Sequence, residues 1–362
     1  MINLFNIFPV VVPTIERRQP QLVIDPWQVR EDDFPVTGST TEKLKFLLNY
    51  AVLAPSGHNT QPWLFKLVDD AIELYGDLTR ALPIADRDHR ELIISCGAAL
   101  FHLKIAINYF GYQDLVQVFP EKSKPDLLAR IELGNKRLVS DEEKSLFHAI
   151  VKRRTNRLPF TDRQLQHSLL LELRLAASSP STQLQIIPDN LRPTIINLIT
   201  QGDRTQLANP LFRQELAQWI HSEHSPDHDG IPIYAQGIDE RFDALTPIIA
   251  LAIRSFNLGK SQSAQNQKLA AQAPTLVLLT SRHDTPHDWL VTGEALAHLL
   301  LRARVDQVWA SFFNQPIQIP QLRSQLQALF PNHGYPQILL RLGYGQTVKS
   351  TPRRSVGEVI SN

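Results

Sequence analysis

The feature of this sequence that most constrains its fold is an internal repeat. Residues 97–103 (GAALFHL) align with residues 293–299 (GEALAHL), and five of the seven positions are identical. Upstream of each stretch lies a second match, since residues 53–56 (LAPS) resemble residues 178–181 (SSPS). The first pair is expected to open apolar helices and the second pair to close helices. Two matches in the same order indicate duplication and therefore two related halves in one chain.

The two halves differ in length. Pro55 and Gly97 are 42 residues apart, whereas Pro180 and Gly293 are 113 apart, so the second half carries 71 extra residues. We place most of them between 203 and 270, where a polar, loop-like stretch, 218–237, precedes an apolar run, 246–253. Excursions of this length are usually functional covers or binding loops, although a surface subdomain without function has the same appearance.

Local patterns predict a mixture of helices and strands. Three capping boxes, each with a hydroxyl at the N-cap and Glu or Gln three residues later, predict helices at about 40–54, 141–156 and 162–177. The first of these is apolar on almost every side and should be buried. Short apolar runs predict strands at 63–68, 72–76, 275–280 and 337–343, the first two as a hairpin. Because helices outnumber strands, we expect an α+β fold with mostly antiparallel sheets covered by helices.

Composition excludes several classes of protein. Of the 362 residues, 37 are Lys or Arg and 36 are Asp or Glu, and this balance lacks the basic excess of a nucleic-acid-binding protein. The single cysteine, Cys96, rules out an intramolecular disulfide and a cysteine-rich zinc site. We expect no apolar run as long as the roughly 18 residues of a membrane span. The apolar stretch 1–18 lacks a basic start and is interpreted as an arm docked on a soluble, cytoplasmic protein, rather than as a signal peptide.

Three short clusters carry chemistry. Residues 153–157 (RRTNR) offer three guanidinium groups and a hydroxyl, which suit a phosphate, although cations also commonly end a helix. Residues 351–355 (TPRRS) present a second arginine pair after a strand, either to a ligand or to solvent. Residues 55–63 (PSGHNTQPW) combine a flexible glycine with neutral hydrogen-bonding groups. This last segment could pack on a flat heteroaromatic ligand or simply form a tight turn.

Other motifs carry less weight. The run containing His221, His224 and His228 has metal-like spacing, but Pro226 interrupts it and no cysteine supports it, so we expect a solvated loop and no metal. Cys96 lies in an apolar context typical of a buried structural thiol. The sequence contains no nucleophile elbow, phosphate-binding P-loop or dinucleotide-binding glycine motif after a strand. Hydrolase, NTPase and Rossmann dehydrogenase functions therefore lack support.

Together, the three clusters resemble the nitroreductase superfamily of FMN-binding flavoproteins. The Arg-rich hydroxyl motif, the complete P-S-x-x-N-x-Q-P-W segment and the basic residues after the last strand match its pattern. Residues 92–106 and 230–232 (GIP) also resemble its Acg-type branch, in which two nitroreductase-like halves are fused. The similarity spans roughly residues 40–356. It implies an N-terminal half, 1–139, and a C-terminal half, 140–362, the latter with a lid-like insertion at about 203–270.

The resemblance also implies a cofactor. Residues 29–38 are acidic where the first half would need an arginine motif, and residues 179–185 lack the Asn and Gln-Pro-Trp in the second half, so only one FMN site can be assembled per chain. Arginines would hold the phosphate and stabilise the N1–C2=O edge, the neutral turn would contact the ring, and a glycine-glutamate pair at a helix start would lie beside N5. The implied FMN-binding residues are Pro55, Ser56, Gly57, Asn59, Arg153, Arg154, Thr155, Arg157, Gly293, Glu294, Arg353 and Arg354.

Two functions of different class follow from the resemblance. The first is an FMN-dependent oxidoreductase that passes hydride from NAD(P)H through the flavin to a small-molecule acceptor such as a nitro compound or a quinone. The second is a protein that sequesters FMN or responds to redox conditions without turnover. They differ in whether residues 205–265 cover the exposed face of the flavin, because a covered face would exclude nicotinamide. A fused pair already contains the interface of a dimer, so the resemblance favours a monomer.

Overall fold

The structure is a computed structural model that describes residues 25–361, and the apolar arm expected at 1–18 lies outside this range. Two four-stranded antiparallel sheets organise the fold, in the orders β1-β2-β4-β3 and β5-β8-β10-β9. A third ladder, β6 with β7, is parallel and only two residues long. The strands are β1 Trp63–Val68, β2 Ala71–Gly76, β3 Tyr112–Val118, β4 Leu127–Lys136, β5 Thr182–Ile186, β6 Ile220–His221, β7 Ile231–Pro232, β8 Thr275–Ser281, β9 Trp309–Phe312 and β10 Tyr335–Gly343.

Helices cover the sheets, as expected of an α+β fold. The α-helices are α1 Thr40–Ala51, α2 Arg90–Tyr109, α3 Asp141–Ile150, α4 His167–Ala176, α5 Arg192–Ala208, α6 Pro210–Gln218, α7 Thr246–Ser255, α8 Gly259–Ala271, α9 Pro286–Val305, α10 Gln315–Gln318, α11 Pro320–Ala328 and α12 Val356–Val359. Short 3-10 helices lie at Pro26–Gln28, Glu31–Asp33, Gly57–Asn59, Leu78–Arg80, Ile233–Gln236 and Glu240–Leu245.

Two long helices cross at the centre of the molecule. In each sheet, one 20-residue helix connects the second strand to the third: α2 in the first sheet and α9 in the second. At their crossing, a Cβ atom added to Gly97 would lie 3.0 Å from the Cα atom of Gly293. Backbones can approach this closely only where side chains are absent. The two stretches that match in sequence therefore lie against each other.

Helix α2 corrects one expectation from the sequence. From the sequence we expect no run long and apolar enough to cross a membrane, but α2 meets both criteria. Of its most apolar window, however, 72% is buried inside the protein. Its residues contribute to a large core together with α1, β1 and β2. In α1, Leu44, Leu47 and Leu48 are fully buried, which confirms the predicted burial of that helix.

Helix ends near the arginine-rich segment also differ from prediction. Helix α3 ends at Ile150, not near 156. Thr155 instead forms a β-bridge to Ala310 of β9, the edge strand of the second sheet. The capping box predicted at Thr161 does not form, because the Thr161 backbone N–H donates to the carbonyl of Tyr344. The chain therefore stays extended until α4 begins at residue 167. This keeps residues 153–157 out of a helix and beside the second sheet.

The four predicted strands are present, and the other six of the described strands were missed. The hairpin of β1 and β2 is confirmed, as are the strands near 275–280 and 337–343. Among the missed strands, β3 alternates between half-buried and exposed residues, a period-2 signal that could have predicted it. The others missed are β4, β5, β9 and the two-residue strands β6 and β7. The first two strands of each sheet are connected very differently. Residues 69–70 connect β1 to β2 in the first sheet, whereas residues 187–274 connect β5 to β8 in the second. We call residues 187–274 the excursion.

Candidate functional site

A cavity of about 470 Å³ is lined by the turn after α1, the segment after α3, the 187–274 excursion and the chain between β10 and α12. Its volume falls within the range of roughly 300–1,000 Å³ that is usual for small-molecule sites. Eight residues predicted from the sequence line it: Pro55, Ser56, Asn59, Arg153, Arg154, Thr155, Arg157 and Arg353. These residues come from three segments that lie far apart in the chain, so packing alone brings them to one place.

The neutral turn after α1 forms one wall and is held by its own side chains. The Ser56 hydroxyl accepts the Gln61 N–H at 2.9 Å, and Asn59 adopts a left-handed backbone conformation, with φ of 56°. The Asn59 amide group donates to the carbonyl of Gly230 at 2.9 Å, and its Oδ1 accepts from Arg353 Nη1 at 2.7 Å. The segment is therefore a tightly bonded turn, and it joins the excursion to the C-terminal arginines.

Four arginines of the cavity wall have no acidic partner. Among residues 25–361, no carboxylate lies within 4.0 Å of Arg153, Arg154, Arg157 or Arg353. Their hydrogen bonds go mainly to carbonyl and amide oxygens: Leu53 for Arg153, Ala235 for Arg157 and Asn59 for Arg353. The buried Nε atoms of Arg153 and Arg353 have no hydrogen-bond partner. Burying unpaired charge is costly, so this arrangement is suited to an anionic ligand.

Burial, together with the charges of neighbouring arginines, lowers the pKa values of Arg153, Arg154 and Arg353. Burial lowers the pKa of Arg153 to about 9, with a further contribution from Arg154. The pKa of Arg154 falls to about 10, mainly through burial. Burial, followed by the charges of Arg153 and Arg154, places the pKa of Arg353 well below its usual range. The charge of Arg154 acts on Arg153, and both act on Arg353, so these three arginines form one cluster.

Arg157 stands apart from that cluster. Burial alone lowers its pKa to about 10, and its charge acts on His58, whose pKa burial and Arg157 together lower to about 4. Its Nη1 donates to the carbonyl of Ala235 at 3.1 Å. The cavity therefore has one end with three guanidinium groups and a separate point with one.

Four residues predicted for the site do not line the cavity. A Cβ atom on Gly57 would face Leu82 and Glu91, away from the cavity. Arg354 instead donates to Gln61 and to the carbonyl of Glu358. The remaining two are Gly293 and Glu294.

The expectation that Gly293 and Glu294 lie at the start of a helix is wrong. Helix α9 begins at Pro286, with Thr285 as its N-cap, so both residues lie about two turns inside it. Gly293 is buried against α2, and Glu294 forms an ion pair with Lys104 at 2.7 Å. Both residues therefore make contacts between α9 and α2 where the two helices cross.

The sequence predicts a lid-like insertion at about 203–270 and leaves open whether it reaches the site, but it identifies none of the insertion's lining residues. Gly230 and Ile231, and the stretch from Tyr234 to Glu240 apart from Gln236, line the cavity, as do Leu158, Thr347, Val348, Lys349 and Thr351. The Tyr234 hydroxyl donates to the carbonyl of Ser350 at 2.6 Å, which ties this wall to the C-terminal segment. The GIP motif at 230–232 was the available signal, since it resembled the Acg branch.

The three histidines of residues 221–228 lie beside different carboxylates and do not gather at one point. His221 lies with Asp227 and Asp229, whose potential ligand atoms are within 4.8 Å of one another. Arg80 pairs with Asp229, and His221 Nδ1 is 2.9 Å from the other oxygen of that carboxylate. Arg80 and His221 therefore already share the Asp229 carboxylate. His224 and His228 lie apart from this group and pair with Glu223 and Glu358.

Comparison with known proteins points in one direction, although no protein-family model matches the chain. It is 27% identical over 333 residues to the Mycobacterium tuberculosis protein named "Putative NAD(P)H nitroreductase acg", covering 90% of this chain and 97% of that protein. It is 29% identical over 326 residues to another protein of that organism, "Putative NAD(P)H nitroreductase Rv3131", covering 88% and 91%.

A solved structure is also similar to part of the chain. It is the FMN and NADPH-dependent nitroreductase NfnB from "sphigopyxis sp. strain HMH", which is 16% identical and covers 60% of this chain and 97% of its own, with a TM-score of 0.39. This likeness is too low to add to the argument. The two relatives from M. tuberculosis match about nine-tenths of the chain. Over most of its length the chain is therefore similar to proteins named as NAD(P)H nitroreductases, the Acg protein among them.

Proposed function

We propose that the chain binds FMN in this cavity and acts as an FMN-dependent oxidoreductase. Hydride would come from NAD(P)H and pass to a nitro compound, a quinone or a similar small acceptor. One observation carries the proposal: four arginines without acidic partners converge on a cavity of small-molecule size. The names of the relatives, as NAD(P)H nitroreductases, support the same chemistry.

The three-arginine end fits a phosphate monoester. Such a phosphate carries about two negative charges near neutral pH and accepts several charge-assisted hydrogen bonds. Arg153, Arg154 and Arg353 would supply the positive charge, and the Thr155 hydroxyl a further donor. The Nε atoms of Arg153 and Arg353, which lack partners within the protein, are donors that a phosphate would satisfy.

The rest of the cavity fits a flat ring. When bound, FMN supplies the hydride and electron transfer that the chain's own side chains do not. Pro55, Ser56 and Asn59 would contact the ring from one side. Arg157 would hold the negative charge that reduction places at the N1–C2=O edge, because it stands apart from the phosphate end. Its fixed bond to Ala235 keeps the guanidinium in position for this role.

We also propose that the chain consists of two halves of common origin, 1–139 and 140–362, which share one FMN. The matching strand orders of the two sheets, and the equivalent places of α2 and α9, support this. The neutral turn belongs to the first half, and the five residues 153–157 and Arg353 to the second. Neither half carries all of these groups, which supports one flavin per chain.

The direct test is titration of the purified protein with FMN. We expect tight binding at one equivalent per chain, with a perturbed visible absorbance spectrum and much weaker binding of riboflavin, which lacks the phosphate. The charge-assisted contacts suggest a preference for FMN of at least about a hundredfold. A colourless protein that ignores added FMN would contradict the proposal.

A second candidate, a protein that holds flavin without turnover, is favoured by one observation. Residues of the excursion between Gly230 and Glu240 form a wall of the cavity. If this wall stays in place over the flavin, nicotinamide cannot reach the ring.

Anaerobic stopped-flow mixing of the FMN-loaded protein with NADH or NADPH separates the two functions. We expect the flavin absorbance to bleach within seconds, as the oxidoreductase proposal requires. Dithionite serves as the control, because it reduces a covered flavin as well. Bleaching by dithionite, together with hours of inertness toward both nicotinamides, would favour the holding function.

A further inference from the structure

Trp27 stacks on two of the three arginines at the proposed phosphate end. The guanidinium carbon of Arg154 lies 3.6 Å from the centre of the Trp27 ring, and that of Arg353 lies 5.1 Å from it. Both distances are within the roughly 6 Å limit for a cation–π interaction. Trp27 does not itself line the cavity, whereas both arginines do. The indole ring therefore backs the guanidinium groups and leaves the cavity side to them.

The tryptophan is itself held in place. Its indole Nε1–H donates to the carbonyl of Thr351 at 2.8 Å, across 324 residues of sequence. The Thr351 hydroxyl in turn accepts from Arg353 Nη1 at 2.6 Å. At the other end, the side chain of Asp25 accepts the Trp27 backbone N–H at 3.0 Å. One aromatic residue thus links the start of the described chain to the segment that carries Arg353.

Stacking has a specific chemical consequence for an arginine. An aromatic ring occupies the face of the guanidinium group, while the N–H donors point outward in its plane. Among the described residues, Arg154 and Arg353 are thereby held close together with no carboxylate within 4.0 Å that would compete directly with an anionic ligand. The in-plane Nε of Arg353 has no hydrogen-bond partner among the described residues, whereas its Nη1 already donates to Asn59 and Thr351.

We propose that Trp27 is the positioning residue that orients Arg154 and Arg353 for a phosphate monoester and so makes the site select phosphorylated over unphosphorylated flavin. This inference rests on the proposed FMN site. No family motif contains the residue, because it precedes the region of resemblance. Its role follows only from its contacts in the folded chain.

The test compares FMN and riboflavin binding in Trp27→Ala and Trp27→Phe, by titration of each purified protein. In Trp27→Ala we expect the preference for FMN over riboflavin to fall about tenfold, because two stacking contacts are lost. Trp27→Phe should recover much of that preference, since phenylalanine retains a ring. Trp219→Ala is the matched control, because Trp219 stacks on Arg80 at 5.4 Å, a guanidinium already paired with Asp229.

The outcomes separate the inference from the function on which it rests. Equal weakening of both flavins in Trp27→Ala, or an equal loss of preference in Trp219→Ala, would indicate a merely structural role and overturn the inference. If the unaltered protein binds neither flavin, the proposed function fails. Inorganic phosphate is then the probe: thermal stabilisation of the unaltered protein that Trp27→Ala loses supports the positioning role, and equal or absent stabilisation overturns it.

Discussion

Replacing Arg153 and Arg353 together with alanine is expected to abolish FMN retention through purification. Each substitution removes a guanidinium group from the proposed phosphate site, and a hydrogen bond to a charged group contributes about 1.5–3 kcal/mol. Losing both should raise the dissociation constant of FMN by a factor of roughly 10²–10⁴. The measurement is fluorescence titration with FMN, with riboflavin titrated in parallel. Riboflavin affinity should change far less, because it has no phosphate to lose.

The same double variant should behave unusually without ligand. The double substitution removes two buried charges that repel each other and lack acidic partners. The free energy of unfolding of the flavin-free protein should therefore fall less than it does for ordinary substitutions of buried residues. The matched control is Arg130→Ala with Arg137→Ala, which removes the same number of charges from arginines paired with Glu73 and Glu143. A double variant of Arg153 and Arg353 that stays yellow through purification would show that these arginines do not hold the phosphate.

Gly293→Ala is expected to destabilise the whole protein severely. In an ordinary helix interior this change stabilises by about 1 kcal/mol, because alanine loses less backbone entropy. Here the new Cβ would collide with the carbonyl oxygen of Ile94 and lie 2.8 Å from the backbone nitrogen of Ala98. Backbone atoms cannot move aside as a flexible side chain can, so α2 and α9 would have to separate. We expect a loss of at least about 3 kcal/mol, which is at the upper end for overpacking.

Thermal unfolding followed by circular dichroism measures this effect, with Gly97→Ala as its counterpart on α2. A Cβ on Gly97 would meet the carbonyl of Leu290 in the same way. Gly357→Ala is the control, because its nearest neighbour, the Ser355 hydroxyl, lies 3.9 Å away and leaves room for a methyl group. The control should lose little stability. An unchanged or raised melting temperature in Gly293→Ala would mean that the helices do not cross where the structure places them.

Local features of the fold were predictable because local chemistry decides them. The Ser39 and Ser140 capping boxes start α1 and α3 as predicted, since a cap involves groups only three residues apart. The third predicted box failed at Thr161, whose backbone N–H is taken by Tyr344, 183 residues away in the chain. Long-range hydrogen bonds of this kind leave no trace in the neighbouring sequence.

Adjacent arginines show the same limit within the candidate site. The sequence places Arg353 and Arg354 together, but only Arg353 lines the cavity, while Arg354 donates to Gln61 and Glu358. Both lie in extended chain before α12, where successive side chains point to opposite sides. A motif can therefore identify the segment without showing which of its members faces the ligand.

Taken by itself, the sequence determined the α+β class, the buried α1, the first hairpin and three of the segments that form the cavity wall. It also determined that residues 153–157 and 351–355 contain arginines and no acidic residue, in a chain whose total charges nearly cancel. Only the tertiary structure decided that Asn59, Arg153 and Arg353 share one cavity, that Gly293 serves a helix crossing, and that Trp27 lies behind the arginines. The physical reason is that such contacts depend on how apolar faces pack across hundreds of residues, and packing is a property of the whole chain.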